Sequence, residues 1–249
     1  MNLGINGNTA LLTASSSGLG KASAMALAEE GVNVVINGRD ENRLADAVEE
    51  ITRSAHGEVV GVAGDITNPD DVETIVETAV DTFGGIDHLV TSTGGPTRYK
   101  FFESEDQHWY DAFDLLVMSV VRTVQEAGEY LRADGGGTIV NITSIVTKEA
   151  SPTNVLSSSV RMCVSGLAKV LSYELAPDVR VNVVLPGLYD TPRSNDAGQP
   201  TVDRSEVPLA RVGDPEEFGS TVAYLCSERA GYLSGASIQV DGGAIRSNF

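Results

Sequence analysis

The chain has 249 residues, 41% of them hydrophobic and 6% aromatic, with 26 Gly, 9 Pro and 2 Cys, the composition of an ordinary globular protein. Against 35 Asp plus Glu stand 17 Lys plus Arg, of which only Lys21, Lys100, Lys148 and Lys169 are lysines, and the net charge of −18 excludes a nucleic-acid or anionic-membrane binder. Cys163 and Cys226 lie far apart and show no metal-ligand spacing, which excludes a disulfide framework and a zinc site; both fall in apolar, helix-like segments that suit a buried thiol.

Taken in chain order, the first strand (residues 9–13, TALLT) runs into the turn Thr13-Ala14-Ser15-Ser16-Ser17-Gly18-Leu19-Gly20, and a helix is predicted over 21–30. Small residues there let the backbone approach a pyrophosphate, and a helix N-terminus adds free N–H groups and a positive dipole end. A second strand (32–36) ends at Asn37-Gly38-Arg39 and a third covers 59–63. Asn68 as N-cap and Pro69 at the first helical position open a helix whose apolar residues, Val72 to Phe83, recur at helical spacing until Gly84-Gly85. Next come a strand at 86–91, a long helix at 106–132, a strand at 138–143 ending beside Ser144, a helix at 157–174, and a strand at 179–185. A loop-like stretch (194–206), a helix opened by Asp214-Pro215 and a last strand (237–240) complete the chain. Strands without a polar face, separated by helices, imply right-handed βαβ crossovers. The expected fold is a single α/β domain over 1–249, three-layered and doubly wound around a mostly parallel sheet.

Three properties of the whole chain add to this. No apolar run approaches the roughly twenty residues of a membrane span, and no basic flank precedes the apolar N-terminal stretch, so the expectation is a cytoplasmic protein. The acids are dispersed in helix patches such as Glu49-Glu50, Asp70-Asp71 and Glu216-Glu217. Together with the scarcity of lysine, this resembles proteins of salt-loving organisms, in which salt screens self-repulsion.

The motifs resemble those of the short-chain dehydrogenase/reductase family along nearly the whole chain. The family's Thr-Gly-x-x-x-Gly-x-Gly turn has Ala14 in place of its first glycine. Asp65 and Ile66 in GDIT resemble the adenine-contacting segment, and Thr93-Gly94 resembles the end of the Asn-Asn-Ala-Gly motif. TIVNITS with Ser144 matches the catalytic-serine strand, and Pro186-Gly187 with Thr191 matches the segment at the nicotinamide end. The resemblance implies a Rossmann-type fold and a nicotinamide cofactor bound by Thr13, Ser15, Ser17, Gly18, Leu19, Gly20, Arg39, Asp65, Ile66, Thr93, Gly94, Arg161, Pro186, Gly187 and Thr191. It implies a homodimer or homotetramer through the two long helices, and no metal. At the tip of the second strand there is no carboxylate until Asp40, whereas Arg39 offers a planar fork to a 2′-phosphate. NADP(H) is therefore expected, with NAD(H) as the alternative and an Arg39 pair with Asp40 or Glu41 as the purely structural account.

The catalytic positions depart from the family. Its Tyr-x-x-x-Lys pair, thirteen residues beyond the serine, is Ser157 and Arg161 here, and its helix asparagine is Leu116. At i and i+4, Ser157 and Arg161 share one helix face. Arginine keeps the lysine's charge but cannot shuttle protons, and a serine hydroxyl is short and weakly acidic. Three functions follow. One is a reductase or dehydrogenase of a small carbonyl or alcohol, 3-oxoacyl reductase-like, with Ser144, Ser157 and Arg161 as the catalytic set and the proton coming from water, Lys148, Glu149 or Tyr189. Another is a dinucleotide-binding sensor or structural subunit without turnover. The last is different chemistry on an anionic substrate, with Arg98 and Arg161 as anion ligands. No serine-hydrolase motif surrounds Ser144; His88 reads as a core strand residue, His56 and His108 as surface positions, and Trp109 as packing at the surface.

Overall fold

Side chains alternate across a strand, so a strand that is apolar at every position is buried on both faces. That is what the computed structural model, which describes residues 2–133, 135–192 and 207–247, displays. Its strands are β1 (Thr9–Leu12), β2 (Asn33–Gly38), β3 (Val59–Ala63), β4 (His88–Thr91), β5 (Gly137–Ile142), β6 (Val179–Pro186) and β7 (Ser237–Val240). They form one parallel sheet in the order β3-β2-β1-β4-β5-β6-β7. The helices are α1 (Gly18–Glu29), α2 (Glu41–Thr52), α3 (Pro69–Phe83), α4 (Asp106–Phe113), α5 (Ser119–Leu131), α6 (Val155–Glu174) and α7 (Pro215–Cys226).

Two separate apolar clusters fill the two faces. Leu11, Val35, Leu89, Ile139 and Val181 belong to the one that includes Ile75 of α3, Val120 of α5 and Val160 of α6. Their strand neighbours Ala10, Leu12, Val34, Ile36, Val90 and Val140 belong to the other, with Leu27 of α1, Ala47 of α2 and Phe218 of α7. The strand order reverses direction between β1 and β4, where open α/β sheets bind ligands at the carboxyl ends of their strands.

Helix ends follow the predicted chemistry in most places. Asp40, Asn68 and Asp214 each accept a hydrogen bond from a first-turn N–H, and Gly84 closes α3 in the left-handed region at φ +87. The first helix begins at Gly18, three residues before the predicted start, because the turn's glycines themselves enter the helix. The single helix predicted over 106–132 is α4 and α5 joined through a π-helical turn, Asp114–Met118, which buries Leu116 and Val117. Helix α6 corrects two expectations. By length and composition it is apolar enough to cross a membrane, but its inward residues Leu156, Val160, Val164 and Ala168 belong to the sheet's core. Cys163 on the same helix is exposed, whereas Cys226 is buried as expected. His108 is half-buried, stacked on Tyr99 with ring centroids 4.1 Å apart. The stretch 194–206 lies outside the described residues.

Ala14, where the family turn has glycine, adopts φ +44. Crowding of Cβ against the backbone costs an L-residue about 1–2 kcal/mol in the left-handed region. Ala14→Gly should relieve this, less the extra entropy glycine gives the unfolded chain. The expected gain is about 1 kcal/mol, or roughly 2–4 °C in Tm for a chain of this size; an unchanged or lower melting temperature would contradict it.

Candidate functional site

The turn after β1 is held by side chains that point inward. The Thr13 hydroxyl donates to Ser92 O and accepts from Ser92 N–H, at 2.8 and 2.9 Å, which ties β1 to β4 at the reversal point. Ser15 Oγ donates to Leu12 O and accepts from Asn37 N–H. Asn37, buried at 1% exposure, is the hub: its Oδ1 accepts from Ala14 N–H, and its Nδ2 donates to Val62 O and Gly64 O. Sequence reasoning saw Asn37 only as part of the β2 tip. Its partners on β1 and β3 are remote in sequence, and only the lack of a carboxylate there hinted at a role.

With Thr13 and Ser15 committed to the fold, the turn offers a ligand its backbone and Ser17. Ser17 is the N-cap of α1 in an extended conformation, and no side chain caps the helix. Uncapped N–H groups at a helix N-terminus are an anion site. A Cβ on Gly20 would come within 2.9 Å of Ala14 O and Ser15 Cα, so this glycine is what lets α1 sit against the turn. Thr191 lies over the same helix end, 3.7 Å from where a Cβ on Gly18 would stand. Leu19 is half-buried against the second core cluster. Pro186 ends β6, and Gly187 N–H donates to Val240 O in a spot where any Cβ would strike Asp241.

On the other side of the turn, Arg39 pairs with Asp65 at 3.6 Å and not with Asp40 or Glu41. Asp40 instead caps α2 through Arg43 N–H. Burial alone would raise the Asp65 carboxyl, but hydrogen bonds from Thr67 N–H and Oγ1 and the Arg39 charge outweigh it and hold it below the usual carboxylate range. Ile66 beside it is buried.

Arg161 and Ser157 meet as the i, i+4 spacing predicts: Arg161 Nε donates to Ser157 Oγ at 3.1 Å, and both residues are buried. The guanidinium also reaches across to Gly94, donating from Nη2 to its carbonyl at 3.1 Å. Thr93, next to Gly94, has a buried Oγ1 with no hydrogen-bond partner among the described residues, a group left able to meet a ligand. Ser144, two residues past the end of β5, accepts weakly from Val146 N–H at 3.4 Å, while its hydroxyl hydrogen has no acceptor among the described residues. The short 3-10 turn that follows it, Ile145–Thr147, packs on α6, the helix that carries Ser157 and Arg161.

Two of the three candidate proton donors are committed elsewhere. The Tyr189 hydroxyl donates to Val240 O at 2.9 Å. Burial first, then the charges of Glu217 and Asp241, push it up to about 12. Glu149 Oε1 accepts from Arg246 N–H and Ser247 N–H at 2.7 and 3.0 Å. Lys148 is half-buried, and its side chain has no partner among the described residues. Trp109 is half-buried against the core, with its Nε1 donating to Ser104 Oγ.

The uncapped α1, the close approach at Gly20 and the orphaned Thr93 hydroxyl together fit the diphosphate and ring ends of a dinucleotide. Known proteins agree with this frame. A family model described as enoyl-(acyl carrier protein) reductase matches residues 13–244. An uncharacterised oxidoreductase of Methylorubrum extorquens is 34% identical over 245 residues, 96% of this chain and 98% of that protein. The 3-oxoacyl-[acyl-carrier-protein] reductase of Staphylococcus epidermidis is 31% identical over 238 residues, 94% of this chain and 98% of its own. Among solved structures, L-sorbose reductase from Gluconobacter frateurii, complexed with NADPH and L-sorbose, superposes with a TM-score of 0.93 at 32% identity, covering 99% of this chain and all of that one. The chain belongs to the short-chain dehydrogenase/reductase family of oxidoreductases.

Proposed function

We propose that the protein is an NADP(H)-dependent oxidoreductase that interconverts a small carbonyl compound and its alcohol, in the manner of the 3-oxoacyl reductases it resembles. The observation that carries this reading is the buried contact of Arg161 with Ser157 and Gly94 O at the carboxyl end of β4, beside the uncapped N-terminus of α1.

The cofactor, when bound, supplies or accepts the hydride. Ser17, Gly18, Leu19 and Gly20 present the N-terminus of α1 to its diphosphate, with Thr13 and Ser15 shaping that turn from within. Thr93, Gly94, Pro186, Gly187 and Thr191 hold the nicotinamide end, and Asp65 and Ile66 the adenine end. Arg161, fixed in place by two hydrogen bonds, stabilises negative charge that develops on the substrate oxygen; a fixed donor spends no energy on reorientation as the reaction proceeds. Since arginine stays protonated, the proton that neutralises this oxygen comes from water, relayed by the hydroxyls of Ser144 and Ser157.

Arg39, its side chain 76% exposed and only 3.6 Å from Asp65, is available to exchange that contact for a 2′-phosphate. Arg39→Asp is expected to shift the NADPH-to-NADH affinity ratio at least about 100-fold towards NADH, since one charge-assisted contact is lost and a repulsion is added. An unchanged ratio would remove Arg39 from the cofactor site. The reading as a whole is tested by titrating NADPH and NADH into the protein at constant KCl, followed by nucleotide fluorescence and Trp109 quenching. Saturable binding with NADPH the tighter is the expected result, and a folded protein that binds neither refutes it.

The protein works as a homodimer or homotetramer. Large apolar side chains stand exposed on α4 and α6, among them Tyr110, Phe113, Met162, Val170 and Tyr173, and a second copy would cover them. Its two free cysteines suit the reducing cytoplasm, and its acidic surface suits a salt-rich one.

A further inference from the structure

We infer that the substrate of this site is a carbonyl compound that also carries an anionic group, a carboxylate or a phosphate, received at the mouth by Arg98, Lys148 and Arg246. This deepens the reductase reading above and rests on it.

The argument starts from where the positive charge goes unused. Lys21, Arg39, Arg53, Lys100, Arg122 and Arg211 are each paired with a carboxylate. Backbone carbonyls hold Lys169, Arg180 and Arg229. Among the described residues, the cationic side chains left with no hydrogen bond or ion pair are those of Arg43, Arg98, Arg132, Lys148 and Arg246. In a chain with 35 acids and 17 basic residues, cations that find neither a carboxylate nor a carbonyl stand out. Three of these five belong to segments that follow the carboxyl ends of β4, β5 and β7.

Those segments converge on one helix. The loop after β4 is tied to α6 twice, by Arg161 to Gly94 O and by Val155 N–H to Tyr99 O at 3.2 Å. The loop after β5 is tied to it by Ser158 Oγ, which accepts from Ser151 N–H. Arg98 and Lys148 therefore rise from two loops anchored on the first turns of α6, the turns that carry Ser157 and Arg161. The C-terminal segment is anchored beside them, because Glu149 accepts from the N–H groups of Arg246 and Ser247. That places Arg246 next to the residue that follows Lys148.

Three carboxylates carried by these segments are already engaged. Glu149 is occupied by two N–H groups, Glu103 by Lys100, and Asp241 by the N–H groups of Gly243 and Ile245. Lys148 is the sharpest sign, since the residue is partly buried while its ammonium has no counter-ion among the described residues. An anionic group on the substrate supplies that counter-ion and, with Arg98, fixes which end of the molecule faces Arg161. In the reduction, the carbonyl carbon takes the hydride and the π electron pair moves onto oxygen. That oxygen takes a proton from water through the Ser144 hydroxyl, and the anionic group remains unchanged.

The test uses pairs of compounds that differ in charge. The NADPH-loaded protein is titrated with oxamate and with uncharged oxamide, and turnover is measured with acetoacetate against methyl acetoacetate and with dihydroxyacetone phosphate against dihydroxyacetone, all at constant KCl. The proposal expects the charged member of at least one pair to bind or turn over at least 10-fold better than its neutral partner. It also expects Arg98→Gln and Lys148→Gln each to raise the KM or Kd of that charged member about 10-fold, and Arg98→Gln to leave kcat and the neutral member's constants within twofold. Arg132→Gln, an equally unpaired arginine at the far end of α5, should change nothing. The proposal is overturned if neutral members do as well as charged ones, if the two variants weaken both alike, or if NADPH binds while no charged member binds or turns over. Failure of NADPH itself to bind is read in the absence of any second ligand, and it overturns the reductase reading together with this one.

Discussion

Arg161→Ala should lower kcat/KM at least about 100-fold on any carbonyl compound the protein reduces. Loss of a single fixed donor to a developing oxyanion typically costs 10²–10³ in rate, and in the proposed reading the same side chain also shapes the cofactor's end of the site. The substitution leaves Gly94 O and Ser157 Oγ without the donor that now serves them, in surroundings where an unsatisfied polar group costs about 1–3 kcal/mol. Some loss of stability is therefore expected alongside the loss of rate. Arg161→Lys separates the two effects: it keeps the charge but offers a point donor where the guanidinium spans two acceptors, so an intermediate rate is expected. Steady-state kinetics, with circular dichroism to establish folding, gives the answer. Wild-type kcat/KM in a folded Arg161→Ala protein would take Arg161 out of the chemistry.

The second large effect concerns acid. His88 is buried at the start of β4, with Nε2 accepting from Asn8 Nδ2 and Nδ1–H donating to Thr138 Oγ1, both at 2.9 Å. Burial, and then the charge of Arg180, pull its pKa down to about 3. In the unfolded chain the same imidazole titrates near 6.5. Between those values the unfolded state binds a proton that the native state refuses, so stability is full above about pH 6.5 and falls as pH falls through that window. The slope is about 1.4 kcal/mol per pH unit, and the whole interval is worth about 4–5 kcal/mol. His88→Asn will have its own, pH-independent cost, but it should remove one proton from the slope. Urea unfolding at pH 7.5, 6.5, 5.5 and 4.5 measures it, and identical slopes in wild type and variant would contradict the assignment. The direction is informative, because acid also reduces the self-repulsion of a chain with net charge −18, which acts the opposite way.

How much of this the sequence reveals depends on the range of the interactions. The strands could be read to within a residue or two, since Val34, Val35 and Ile36 need apolar neighbours on both faces and only a covered parallel sheet supplies them. The caps at Asn68 and Asp214 are local chemistry and were equally readable. The inward face of α6 was not: the helix is apolar nearly all round, so nothing in its pattern says that Cys163 faces water. The i, i+4 meeting of Ser157 and Arg161 follows from helix geometry, but the bond from Arg161 to Gly94 joins residues 67 apart. Asn37 is the clearest case of a role invisible in sequence, because what it does is defined by three segments that only the folded sheet brings together. Glu149 is another, as its partners are N–H groups almost a hundred residues on.

The π-helical turn at Asp114–Met118 also sets a count. Each residue in an α-helix advances the side chain by about 100° around the axis, and a π-turn accommodates one residue more than an α-helical turn would. Deleting a single residue from this segment would let one unbroken helix run from Asp106 to Leu131. Because the π-turn absorbs that extra residue, the deletion would leave Val120, Val124, Ala127 and Leu131 facing the sheet they now cover, whereas forcing the full-length segment into regular α-helix would swing them by about 100° away from it. Along this rod, a residue added or removed outside the π-turn changes which side of α5 is the inside, whereas the π-turn is where the helix can give up a residue and keep that side.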